Sequence, residues 1–411
     1  MAIGDGLCQD RQPLGGRGAA EVGSGMVDLI KDKAAIVGIG QTAFGKGLPD
    51  SELSLACQAV SAAIDDAGLR PADVDGLAMF SMENGREVEV ARNVGLGEIT
   101  YFGEIGYGGG AGCGAVGHAA MAVVTGQCEV AVAWRARKRA DKGSRPWANV
   151  AAKISGTGQW SRPFGLLRPV DEIAMLARRY MYEYGATREH LANVAIAFRK
   201  HANRNPAATM YAKTLSREQY MAARWISEPL CLYDNCLETD GALAVVITSV
   251  ERARDLKQTP VLLHSFAQGF GRQHQVMTNY FCDDPLLGPG WACANRLWAN
   301  SDLGPADISC AQIYDAFSPL VPLSLEAYGF CGRGEGGAFT DDGALEWPHG
   351  RLPVNTAGGG MSEAYVHGFN LVLEGVRQMR GCSTSQVEGA TSCLVTSGEG
   401  VPTSALVLRR D

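Results

Sequence analysis

What this chain lacks rules out several roles before any motif is read. No apolar run approaches the roughly 20 residues that cross a bilayer, and the glycine-rich first 25 residues lack the apolar core of a secretory signal. Positive charge is in deficit: 37 Lys and Arg stand against 44 Asp and Glu, a formal net charge of -7. No global basic field therefore exists to attract nucleic acid or an anionic membrane, and nucleic acid is excluded as a partner. Paired cysteine spacing is missing too. The twelve cysteines stand singly inside apolar stretches, as at Cys57, Cys128 and Cys393, which excludes a zinc knuckle and a small secreted disulfide framework. They read as reduced cytoplasmic thiols, with no metal site among them. Charged residues make up only 20%, whereas 46% hydrophobic content over 411 residues is enough for two or more fused cores.

What is present is an alternation of strand and helix signals that repeats. Residues 1–25 are expected to form a disordered extension, with Met26 as an alternative start. Ala34-Ala-Ile-Val-Gly-Ile-Gly is a short apolar strand pattern, and Ser51 to Gly68 has helical periodicity closed by a glycine cap. Leu69-Arg-Pro-Ala-Asp-Val leads into the apolar Gly76-Leu-Ala-Met-Phe. Much later Leu303-Gly-Pro-Ala-Asp-Ile leads into Ala311-Gln-Ile-Tyr-Asp-Ala-Phe. Each half ends in a strand pattern, Ala242–Thr248 and Ser404–Leu408. The reading is α/β, with two similar halves over residues 26–255 and 256–411. A helix-rich insertion at about 160–230 is marked by Met175, Ala177, Tyr180, Met181 and Tyr184, then Leu191, Val194, Ala195 and Phe198, spaced as in a lid over a site.

Four stretches offer chemistry. Gly106-Tyr-Gly-Gly-Gly-Ala-Gly-Cys-Gly feeds a helix, so its backbone amides can approach a ligand, although close packing of helix on strand needs small residues equally. Cys113 within it is the one tempting nucleophile, or else a small buried hydrophobe. In Ile313-Tyr-Asp-Ala-Phe, Tyr314 is a strand-end tyrosine and Asp315 a candidate helix N-cap. After Asn355-Thr-Ala-Gly-Gly-Gly, Ser362 opens a helix expected to reach about Met379. That places Tyr365 in its first turns, where the helix dipole favours a phenolate, and turns His367, a rival base, away from it. In Val395-Thr-Ser-Gly-Glu-Gly, Ser397 has no neighbouring base in sequence, so the glycine amides look more useful than its hydroxyl.

Taken in order over residues 34 to 410, these stretches resemble the thiolase-like steroid side-chain-cleaving aldolases of the lipid-transfer-protein type. Further phrases that carry the resemblance are Ala177-Arg-Arg-Tyr-Met, Glu238-Thr-Asp-Gly-Ala, Gly329-Phe-Cys-Gly-Arg-Gly-Glu and Glu363-Ala-Tyr-Val-His-Gly. The resemblance implies a thiolase fold of two βαβαβαββ halves, assembled as a homodimer with an OB-fold partner in a hetero-oligomer. It implies retro-aldol cleavage of a hydroxylated steroid side-chain CoA thioester, such as a 17-hydroxy-3-oxo-pregnene carboxyl-CoA, to a 17-keto steroid and propionyl-CoA. No cofactor is implied, CoA being part of the substrate. Tyr314 and Tyr365 map to the paired catalytic tyrosines, and Tyr365 stands where a thiolase carries the histidine of Gly-His-Pro. Gly109 and Ser397 stand where thiolases carry cysteine. Gly109, Asp315, Asn355, Gly359, Ser397 and Gly398 are implied to support the site or the thioester oxyanion. Ala316 and Ala357 each replace a histidine of the family pattern. Two rivals remain at this stage: an acyl-CoA acyltransferase using Cys113, and a non-catalytic lipid or acyl-CoA carrier.

Overall fold

The computed structural model describes residues 30–139, 156–277, 279 and 282–411; the expected extension over residues 1–25 lies outside them. The alternating glycines of strand β1 (Ala34–Gln41) set the first packing contact. A Cβ on Gly38 or Gly40 would lie 2.1 Å and 2.0 Å from the carbonyls of Ala63 and Ala59, so only glycine lets helix α1 (Glu52–Ala67) lie this close. Ser51 caps α1 by accepting from the Ser54 amide, and Gly68, at φ 74°, ends it in the left-handed region. The first half continues through β2 (Gly76–Phe80), α2 (Glu87–Val94), β3 (Tyr101–Ile105), α3 (Gly112–Val124) and β4 (Val130–Arg137). An insertion follows, with α4 (Pro169–Tyr184), α5 (Arg188–Ala202), α6 (Arg217–Met221) and a hairpin of β5 (Trp225–Ser227) and β6 (Leu230–Cys231). Strand β7 (Gly241–Ser249) closes this half, which thus runs βαβαβαββ apart from the insertion.

After α7 (Val250–Ala253), the second half repeats the plan. It comprises β8 (Val261–Gly269), α8 (Pro289–Ala299), β9 (Cys310–Gln312), α9 (Leu320–Ala327), α10 (Gly336–Phe339), α11 (Gly359–Ser362), α12 (Phe369–Arg380), β10 (Ser392–Thr396) and β11 (Thr403–Arg410). The sheet order is β3-β2-β4-β7-β1-β8-β11-β10-β9. Read outward from the β1–β8 seam, the two sides match: β1-β7-β4-β2-β3 against β8-β11-β10-β9, with a parallel bridge between Ala311 and Val354 where β3 has its counterpart. The repeated Pro-Ala-Asp turns lead into equivalent strands, β2 and β9, each parallel to its inner neighbour, β4 or β10.

Only Ala35 with Leu262 and Ile36 with Val261 pair directly across the seam. The halves are joined mainly by α3 and α12, each packed against strands of both halves. Helix α1 covers the outer face of the first half and α8 that of the second, which gives the helix–sheet–helix–sheet–helix layering of the expected thiolase fold. The middle helices can be enclosed because they are small or apolar: Ala115, Val116, Ala119 and Ala120 on α3, and Phe369, Val372, Leu373 and Val376 on α12, are fully buried. Among the described residues, no helix is long and apolar enough to cross a membrane.

Candidate active site

The loop that leaves β9 is pinned residue by residue. Asn355, itself at φ 51°, accepts from the Ile313 amide at 2.7 Å and donates to the Ile313 carbonyl at 2.8 Å. Both ends of its side chain are thereby engaged, so it holds the backbone that presents Tyr314. The Tyr314 amide in turn donates to Thr396 Oγ1 at 3.0 Å. Asp315 accepts from the Gly360 and Met361 amides at 2.7 and 3.1 Å, and so caps α11 across the fold instead of the helix that follows it in sequence. Gly359 is required here, since a Cβ would lie 2.4 Å from Asp315 Oδ2. Burial raises the Asp315 carboxyl to about 7, against the pull of those amides.

The continuous helix expected from Ser362 to about Met379 is broken. Helix α11 stops at Ser362 and α12 starts at Phe369, with Tyr365 in the non-helical segment between them. His367 at φ 49° and Gly368 at φ 77° are consecutive left-handed residues, which no right-handed helix accommodates. The apolar periodicity belongs to α12 alone. Tyr365 is therefore not in a helical first turn. Burial instead pushes its phenol above the ordinary value, with Cys236 adding to the shift, and burial pushes Tyr314 well above it. Both phenols are thus held neutral.

The two tyrosines meet. Tyr314 Oη and Tyr365 Oη are 2.5 Å apart, and the rings lie edge to face with centroids 6.1 Å apart. Gly109 makes the meeting possible, because a Cβ there would sit 2.0 Å from Tyr314 Oη. Gly398 and Gly368 face the same ring, with Cβ positions 3.2 Å from Cε1 and 2.6 Å from Cδ2. One expectation is corrected. The Gly398 amide is not available to a ligand, since it donates to the Gly109 carbonyl at 2.8 Å. Ser397 Oγ accepts from the Cys113 amide at 2.9 Å and from Ser404 Oγ at 3.2 Å, and so caps the start of α3. Cys113 itself is buried in α3, its thiol donating to the Val395 carbonyl and pushed up to about 12 by burial. A poorly ionised, enclosed thiol is a poor acyl acceptor, and the Cys113 acyltransferase loses its nucleophile.

Sequence reasoning missed a buried cluster beside this pair. Arg135 is fully buried at the end of β4; its Nη1 donates to Glu83 Oε1 at 2.8 Å, and its Nη2 and Nε reach His367 Nδ1 at 2.6 and 3.2 Å. His367 does not turn away from Tyr365: the rings are edge to face with centroids 5.2 Å apart. Burial, then Arg135, Arg139 and Arg137, hold its imidazole well below the ordinary value. The Arg139 guanidinium lies 5.1 Å over the Tyr365 ring, and the Tyr365 amide donates to Thr239 Oγ1 at 3.1 Å. The available signal was the period-two run Arg135, Arg137 and Arg139 leaving an otherwise apolar strand. Among the described residues, no three His, Cys, Asp or Glu side chains group as metal ligands.

Comparison with known proteins matches the same segments. The family described as thiolase, N-terminal domain, matches residues 34–251, and that described as thiolase C-terminal domain-like matches residues 275–408. The chain is 47% identical to a 17-hydroxy-3-oxo-4-pregnene-20-carboxyl-CoA lyase of Mycobacterium tuberculosis (strain ATCC 25618 / H37Rv), over 92% of this chain and all of that protein. It is 48% identical to a steroid side-chain-cleaving aldolase of Thermomonospora curvata, over 94% of this chain and all of that one. A solved Ltp2-ChsH2(DUF35) aldolase superposes with a TM-score of 0.88 at 47% identity, covering 93% of this chain and 99% of that chain.

Proposed function

Because this chain belongs to the thiolase superfamily, among its steroid side-chain-cleaving aldolases, we propose that it is a carbon–carbon lyase acting on a hydroxylated steroid side-chain CoA thioester. A retro-aldol cleavage removes one proton from a hydroxyl and delivers one to an α-carbon, so it needs no covalent nucleophile and no net proton. Two neutral phenols in hydrogen-bond contact suit that balance. The substrate hydroxyl gives its proton to Tyr365 as Tyr365 passes its own to Tyr314 and Tyr314 protonates the departing enolate carbon. The hydroxyl-bearing carbon becomes a ketone, the carbon–carbon bond breaks, and the enolate becomes an acyl-CoA. For a 17-hydroxy-3-oxo-pregnene carboxyl-CoA the products are a 17-keto steroid and propionyl-CoA. A relay of this kind asks neither phenol to be ionised at rest, which agrees with the raised pKa of both. The Arg139 guanidinium over Tyr365 favours charge that develops there in passing.

The observation that carries this reading is the 2.5 Å hydroxyl pair in the space that Gly109 leaves open. Tyr314→Phe and Tyr365→Phe are each expected to lower kcat by about 10²–10⁴-fold in a coupled assay of CoA product, and the double variant should lose little more than either single one. Near-normal turnover by both single variants overturns the assignment.

The assembly follows the same reading. Strand β3 is a sheet edge, and Phe102 on it is 68% exposed, with Tyr107 just beyond at 58%. An exposed aromatic edge strand is a ready pairing surface, and we assign the homodimer contact to it. The solved relative pairs with a protein named ChsH2(DUF35), and the present chain is read as working with a similar OB-fold partner over the acyl-CoA channel. The eleven free cysteines among the described residues suit a reducing, cytoplasmic setting.

A further inference from the structure

As the carbon–carbon bond breaks, the thioester oxygen gathers negative charge and needs a donor. Many of the amides that the nearby turns offer are already engaged. Gly398 N–H donates to Gly109, Cys113 N–H to Ser397, Gly360 and Met361 N–H to Asp315, Tyr314 N–H to Thr396, and Tyr365 N–H to Thr239. His367 stands apart from these. A guanidinium has only donors, so the contacts from Arg135 at 2.6 and 3.2 Å require His367 Nδ1 to be the bare nitrogen, and the hydrogen of the neutral ring must sit on Nε2. Arg135 is itself fixed, its Nη1 held by Glu83 in a pair that is almost wholly buried. Nothing among the described residues bonds His367 Nε2, while the ring sits against Tyr365 and the following Gly368 against Tyr314. The left-handed backbone at His367, φ 49°, is a conformation a non-glycine residue keeps only when its surroundings enforce it.

We propose that His367 is a catalytic residue that acts as an electrophile, not a base: its Nε2–H binds the thioester oxygen, and Arg135 is the positioning residue that fixes this tautomer. The proposal rests on the aldolase reading given above. When the bond breaks, its electron pair passes into the enolate, whose oxygen rests on Nε2–H. Protonation at carbon then returns that pair to a C–H bond and restores the thioester carbonyl. His367 keeps its proton throughout, and the only protons that move are the substrate's and those of the tyrosine pair.

Two reactions of the assembled enzyme test this. Exchange of the α-hydrogens of propionyl-CoA with deuterated water reads enolate formation alone, and cleavage of the steroid thioester reads the whole reaction. His367→Ala is expected to lower both rates by about 10²–10³-fold, acting on kcat with KM moved less than about threefold. His367→Gln places an amide N–H at the Nε2 position and should recover all but about tenfold, whereas His367→Asn, which reaches only the Nδ1 position, should not. Nitrogen-15 NMR of labelled histidine, assigned with the Gln variant, is expected to show a neutral ring protonated at Nε2, and a change of tautomer in Arg135→Lys. Wild-type rates in His367→Ala, equal rescue by Asn and Gln, or a proton on Nδ1 would each overturn the proposal. A wild-type protein that exchanges propionyl-CoA hydrogens but leaves every steroid thioester intact refutes the steroid reading and leaves the role of His367 standing.

Discussion

At Gly109 one methyl group is enough to stop the proposed chemistry. The Tyr314 ring lies among Gly109, Gly368 and Gly398, and its hydroxyl occupies the place where a Gly109 side chain would begin. Gly109→Ala is therefore expected to push the phenol off Tyr365 and lower kcat by at least about 10²-fold, while overpacking costs about 1–3 kcal/mol of stability. Steady-state kinetics beside a thermal midpoint separates the two effects; an Ala variant with normal kcat would show that the Tyr314–Tyr365 contact is not needed. Tyr314 and Tyr365 were legible in the sequence because each is embedded in a local phrase, Tyr-Asp-Ala-Phe or Asn-Thr-Ala-Gly-Gly, whose spacing survives without tertiary information. Arg135 was not. Its partners Glu83 and His367 lie 52 and 232 residues away, so the ion pair and the tautomer it dictates exist only once β4 and the segment before α12 are brought together.

Among the elements, β9 has three residues and yet presents Tyr314, so its exit depends on side chains more than on ladder pairing. Asn355 supplies that support by engaging both backbone groups of Ile313. Asn355→Ala leaves a buried donor and a buried acceptor unpaired, and is expected to cost about 2–5 kcal/mol in denaturant unfolding and to lower kcat as Tyr314 loses its register. A stability loss under about 0.5 kcal/mol would mean that the loop is held some other way. Helix existence was readable from periodicity, as for α1, α4 and α5, but the break before α12 was not. Val366 and Phe369 keep an apolar spacing that a continuous helix would also produce, and nothing local marks His367 as left-handed beyond the glycine that follows it.

For the whole molecule, the internal repeat was visible in two Pro-Ala-Asp turns, and it fixed the paired halves; the seam between them, two residue pairs long, could not be read from either copy. On the homodimer proposed above, the exposed edge at β3 extends that sheet plan to a second copy. Phe102→Glu is expected to convert the dimer to a monomer in light-scattering chromatography at micromolar concentration, and an unchanged mass would place the contact elsewhere. The space at Gly109 also bears on how such a scaffold changes trade. On the register with thiolases, a side chain at Gly109 and the Tyr314 hydroxyl compete for one volume, so the site as built cannot carry both. On the phenol chemistry proposed above, a single-step return to cysteine at Gly109 is blocked by sterics alone, because its Cβ would already lie 2.0 Å from the Tyr314 hydroxyl.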